Sequence, residues 1–99
     1  MWPETPRAAR LRLLASISYR VTSDEMWLRG RIVNVSESGV MFAPAALEAG
    51  QSIEVIFSTP VPIESIAPGR LICRAKVVRT APDGTAAARF DECRFLLTT

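Results

Sequence analysis

From Leu11 to Val21 the apolar residues fall on every second position: Leu11, Leu13, Ala15, Ile17, Tyr19 and Val21. Arg12, Ser16, Ser18, Arg20 and Thr22 take the alternate positions, and Leu14 is the one exception. Successive side chains of an extended chain point to opposite sides, so a period of two over this length specifies a half-buried strand. A helix would scatter the same residues around its circumference.

The same signal recurs down the chain. Ser23-Asp24-Glu25 is a polar turn, a second strand runs from about Trp27 to Val35, and Ser36-Glu37-Ser38-Gly39 turns the chain into a short third strand, Val40 to Ala43. A connection follows Pro44 and ends at Gly50, with room for one helical turn at Ala45-Ala46-Leu47. Gln51 to Ser58 alternates again, with Ile53, Val55 and Phe57 on one face. Thr59 to Pro68 holds three prolines and reads as a loop, since proline has no N–H to give a ladder. Leu71, Cys73, Ala75 and Val77 share a face, Pro82-Asp83-Gly84 is a tight-turn signal, and Thr85 to Phe90 returns. Six strands with short connections and little helix predict an all-β fold, a small six-stranded antiparallel barrel whose closure protects its edges.

The last hairpin also locates the cysteines. Cys73 and Cys93 lie ten residues either side of Asp83, which puts them nearly opposite each other and within disulfide range. Compartment argues the other way. No segment approaches the roughly 20 apolar residues needed to span a bilayer, and the start, Met-Trp-Pro-Glu-Thr-Pro, has neither the basic nor the apolar region of a signal peptide. The expectation is a cytoplasmic chain with two free, buried thiols and no membrane insertion.

Composition narrows the chemistry. Ninety-nine residues suffice for one core, and 48% hydrophobic content makes a metal or disulfide staple unnecessary. There is no histidine, which removes the commonest general base and histidine-dependent zinc sites and triads. The glycines form neither GxGxxG nor a P-loop, and no carboxylate pair stands out. A non-enzyme without metal or cofactor is expected. A net charge of +2 is too balanced for duplex nucleic acid, and seven aromatics, mostly at core positions, supply no stacking platform for single strands. No DNA or RNA partner is expected. Charge is nonetheless clustered, at Arg7, Arg10 and Arg12 and again at Arg29 and Arg31.

The informative stretch is Gly30-Arg31-Ile32-Val33-Asn34-Val35-Ser36-Glu37-Ser38-Gly39-Val40. Asn34, Ser36 and Gly39 form N-x-S-x-x-G where two strands join, supplying an amide that donates and accepts, a hydroxyl, and a glycine for close approach or positive φ. On its own this also reads as a capped hairpin, with Asn and Ser bonding their own backbone. In order along the chain come an arginine-rich lead-in, Tyr19-Arg20-Val21, the motif strand, an apolar strand after Gly50-Gln51, Arg74 to Val78, and Ala88-Arg89-Phe90. This set resembles the PilZ family, whose signature is R-x-x-x-R followed by [D/N]-x-S-x-x-G.

The resemblance implies a six-stranded barrel at 13–99 preceded by an arginine-containing arm at 1–12. It implies cyclic di-GMP as ligand, with Arg7 and Arg10 on phosphate and guanine, Asn34 and Ser36 on the base, and Gly39 shaping the turn. Guanidinium forks suit both phosphate and the guanine O6/N7 edge. Ligand binding would clamp the arm onto the barrel and relay the second messenger to a protein effector. One departure is plain: Arg7 and Arg10 are three apart where the family has four. The alternative it opens is a degenerate PilZ-like domain that binds no nucleotide and acts as a protein-interaction module, with Trp2, Trp27 or the Pro60–Pro68 loop on its surface.

Overall fold

The structure is a computed structural model that describes residues 15–59 and 69–95. Its elements are all strands: β1 (Ser16–Val21), β2 (Leu28–Ser36), β3 (Gly39–Ala43), β4 (Ser52–Thr59), β5 (Gly69–Thr80) and β6 (Ala86–Phe95). They close a barrel in the order β1-β2-β3-β6-β5-β4, with β4 pairing back to β1 and every pairing antiparallel. Closure leaves no unpaired sheet edge. The anticipated barrel is the observed one. The helical turn at 45–47 is not: that stretch is irregular, tied to the β5–β6 hairpin by the Ala45 N–H donating to the Gly84 carbonyl at 2.8 Å and to β1 by the Tyr19 hydroxyl donating to the Pro44 carbonyl at 3.1 Å. Ala45 packs against the core and Leu47 is buried in it, so burial rather than helix propensity sets the backbone there. The arm at 1–12 and the Thr59–Pro68 loop fall wholly or almost wholly outside the described residues.

The alternating residues build the interior. Ile17 and Tyr19 of β1, Ile53, Val55 and Phe57 of β4, and Leu71, Cys73, Ala75 and Val77 of β5 join Ile32, Val35, Val40 and Phe42 in one buried cluster. Tyr19 packs on Phe42 with ring centroids 4.9 Å apart, and Phe57 stacks on Phe90 at 5.9 Å. Burying each such side chain contributes roughly 1.5–3 kcal/mol against the chain entropy that folding removes.

Three β-bulges break the strict alternation. Pairing shifts by one residue between Ile32 and Asn34 in β2, between Val77 and Arg79 in β5, and at Asp91 in β6, where Arg74 pairs with Glu92 but Ala75 with Phe90. An extra residue lets two consecutive side chains face the same way. Val33 and Asn34 therefore both lie on the outer wall, as do Val78 and Arg79; Val33 and Val78 are 41% and 48% exposed.

The β5 and β6 bulges compensate, so the register beyond them returns to that of the turn and Cys73 pairs directly with Cys93. The two form a disulfide, with Cα atoms 4.0 Å apart. This corrects the expectation of free thiols: the two bulges cancel, the ladder stays in register as far as Cys93, and the two sulfurs meet across it. Among the described residues no helix is long and apolar enough to cross a membrane.

Candidate functional site

The bulge at Val33 is what creates the corner. Without the extra residue Asn34 would follow Ile32 and Val33 in strict alternation and point into the barrel. With it, Asn34 pairs with Met41 on the outer wall, and its Nδ2 lies 3.6 Å from the Met41 Sδ. Two residues on, Ser36 is also outward, because Val35 between them is fully buried in the core. Ser36 is only 6% exposed.

Local turn chemistry accounts for Ser36 but not for Asn34. The Ser36 Oγ accepts the Ser38 backbone N–H at 3.2 Å and lies 3.1 Å from the Ser38 Oγ, a side-chain turn that caps the β2–β3 connection. Asn34 does no such thing. Its Oδ1 is buried and has no hydrogen-bond partner among the described residues. An amide oxygen withdrawn from water and left unpaired costs about 1–3 kcal/mol, so the position calls for a donor beyond the described residues.

Gly39 departs from the role the motif suggested. The turn residues are Glu37 and Ser38, and Gly39 is the first residue of β3, buried and paired with Ser36 on one side and Arg89 on the other. The positive-φ glycines are Gly50, Gly69 and Gly84. Gly39 thus sits buried in the sheet between Ser36 and Arg89 rather than reversing the chain. The turn is held to β6 by the Phe90 N–H, which donates to the Ser38 carbonyl at 2.9 Å.

Asn34, Ser36 and Gly39 are therefore together on one outer face. Arg7 and Arg10 lie outside the described residues. The second basic pair is elsewhere on the wall: Arg29 and Arg31 face Ser18 and Ser16 of β1, and Arg29 borders a recess of about 280 Å³ with Ser16, Ser18, Ser58 and Arg70. Among the described residues no group of three or more His, Cys, Asp or Glu side chains is arranged to hold a metal.

Sequence reading missed what stands beside the corner. The row running out from Ser36 continues through Gly39 to Arg89 on β6 and Lys76 on β5, and the row from Asn34 through Met41 to Ala87 and Arg79. Ala87 is 4% exposed yet is not part of the core cluster, so small buried residues, Gly39 and Ala87, stand in both rows between the Asn34–Ser36 end and the cationic end.

A PilZ domain profile matches residues 4–99 of the chain. The chain belongs to the PilZ domain family. PilZ domains are regulatory binding modules rather than enzymes, generally for cyclic di-GMP. Among solved structures, the inhibitor of motility of Bacillus subtilis (MotI/DgrA) superposes with a TM-score of 0.66 at 17% identity, covering 92% of this chain and 45% of that one. At that identity the likeness speaks for the shared barrel alone, and this PilZ chain spans less than half the length of its neighbour. No curated protein matches the sequence.

Proposed function

We propose that this PilZ domain is a cyclic di-GMP-binding regulatory module with the guanine base seated at Asn34 and Ser36. The observation that carries the reading is the buried Oδ1 of Asn34 on the outer wall, unpartnered among the described residues. A guanine offers N–H donors on its Watson–Crick edge, and one of them would satisfy that oxygen where none of the described residues does. Ser36 keeps its turn role and still has acceptor capacity for a second contact.

The arm would close the site from above. The Ala15 carbonyl accepts the Ile32 N–H at 2.9 Å, only two positions before Asn34, so the described chain begins next to the corner. Arg10 is five residues further back, a reach of up to about 17 Å. Arg7 and Arg10 would engage phosphate and guanine, and their capture would relay ligand binding to whatever effector the arm contacts.

Calorimetric titration of cyclic di-GMP at low salt tests this, with an Arg7/Arg10 double alanine variant beside the wild type. Binding that the double variant loses supports it. No heat and no amide shifts at about 1 mM ligand removes it. The altered arginine spacing favours the other reading, an interaction module without nucleotide, which requires that Ser36→Ala and Arg10→Ala leave function intact.

A further inference from the structure

The outer wall of the barrel treats charge in two different ways. Across β1, β4, β5 and β6 one row reads Arg20, Glu54, Arg74 and Glu92, each directly opposite the next. Cation and anion alternate, Arg20 reaches Glu54 at 2.6 Å, and Arg74 pairs with Glu92. One row away, Lys76 of β5 stands directly opposite Arg89 of β6. Both are exposed, and neither has an ion-pair partner among the described residues. Like charges directly across a ladder destabilise a sheet. Arg79 adds a third outward cation beside them, opposite Ala87.

That arrangement is what an anion site on a strand wall requires. Bringing an anion between Lys76 and Arg89 converts their repulsion into two attractions, and through Gly39 the same row of the sheet leads from this pair to Ser36. Three strand steps separate Ser36 from Lys76, about 14 Å at the usual spacing, with Arg89 between them. A base at the corner therefore has a phosphate's natural partner one strand past the glycine.

We infer that Lys76 and Arg89 are the barrel's own phosphate-binding residues, receiving a phosphate of the nucleotide whose base sits at Asn34 and Ser36. The inference rests on the cyclic di-GMP reading above. It also gives the altered arginine spacing a physical context, since part of the cationic complement comes from the rigid wall rather than from the arm.

The experiment is a cyclic di-GMP titration of wild type, Arg89→Gln, Lys76→Gln and, as a control, Arg94→Gln, whose residue faces Ile72 in a different row. Each ligand-free variant is also melted. Arg89→Gln and Lys76→Gln are expected to weaken binding about ten- to a hundredfold while melting at or above the wild-type temperature, because the like-charge pair is gone. Arg94→Gln is expected to change affinity less than about fivefold. Wild-type binding that both glutamine variants retain overturns the inference and leaves the nucleotide reading standing. A wild type that does not bind overturns the nucleotide reading and this inference with it. Should Arg89→Gln fail to fold, Lys76→Gln carries the same test.

Discussion

Replacing Asn34 by alanine should stabilise the ligand-free protein while destroying its site. Among the described residues the side chain's buried amide oxygen has no partner, and its nitrogen finds only the weak acceptor of Met41 at 3.6 Å. Removing the oxygen returns the cost of an unsatisfied buried carbonyl, about 1–3 kcal/mol. Against that stand the lost Nδ2–Sδ contact and some packing of a half-buried side chain, together about 1 kcal/mol. The net is a gain of about 1 kcal/mol, which for a domain of this size raises the melting temperature by roughly 4–8 °C.

Thermal unfolding of the two ligand-free proteins, followed by circular dichroism or calorimetry, measures it. The same pair is then titrated with cyclic di-GMP, where the alanine variant should show no binding. Stability and function would move in opposite directions, the mark of a residue kept for its ligand rather than its fold. An Asn34→Ala protein less stable than wild type by 1 kcal/mol or more would refute the reasoning, because it would mean that the oxygen is already satisfied.

Two further outcomes follow from the hairpin. The Cys73–Cys93 bridge spans 20 residues, and loop-closure entropy for that length is worth about 3 kcal/mol; melting with and without reductant should differ by many degrees, and identical curves would show that the bond is absent in solution. At the turn, the Thr85 backbone N–H donates to the Asp83 Oδ1 at 2.9 Å and holds the exposed Asp83 carboxyl below its ordinary range. A depressed folded pKa contributes stability above the unfolded value and loses it as pH falls through the folded one. The Thr85 amide resonance should therefore report a titration below the usual aspartate range, which Asp83→Asn abolishes.

The parts of the fold that were legible in the sequence are those fixed by local pattern. Alternation gave β1, β4 and β5, because each has one face in the core, and Pro82-Asp83-Gly84 gave the β5–β6 hairpin. What alternation could not give is pairing between distant strands, so the Gly39–Arg89 contact of β3 with β6 went unseen. The bulges were harder still. Counting symmetrically from Asp83 puts Lys76 opposite Phe90 and Arg89 opposite the buried Val77, which would bury a guanidinium. The extra residue at Val78 moves Ala88 to Val77 and Arg89 to Lys76, and the Ala88-Arg89-Phe90 pattern was the available hint, since only that register buries the alanine and the ring together. Of the site, Asn34 and Ser36 were legible as a motif. That Ser36 is occupied by the turn while Asn34 is not could be learned only from where each hydrogen bond goes.

Closure of the barrel dictates where a ligand of nucleotide size can go. A barrel of about eight strands is just wide enough for side chains to fill, and this one has six, packed from Ile17 to Ala88. Nothing large enters the interior, so recognition falls to the outer wall. A regular wall is a poor receptor, because its backbone donors and acceptors are consumed in the ladders. Recognition there must come from side chains turned outward, and alternation allots every second position to the core. The bulge at Val33 escapes that constraint: it turns Asn34 outward without disturbing Val35, which remains fully buried opposite Val40. The bulge at Val78 does the same for Arg79 on the far side of β3 and β6. Between these two irregularities lie the small residues Gly39 and Ala87, flanked by an acceptor at one end and cations at the other that have no partner among the described residues. A ligand matching both ends must carry hydrogen-bond donors and negative charge on one molecule, which a guanine nucleotide does and neither a plain anion nor an uncharged base can.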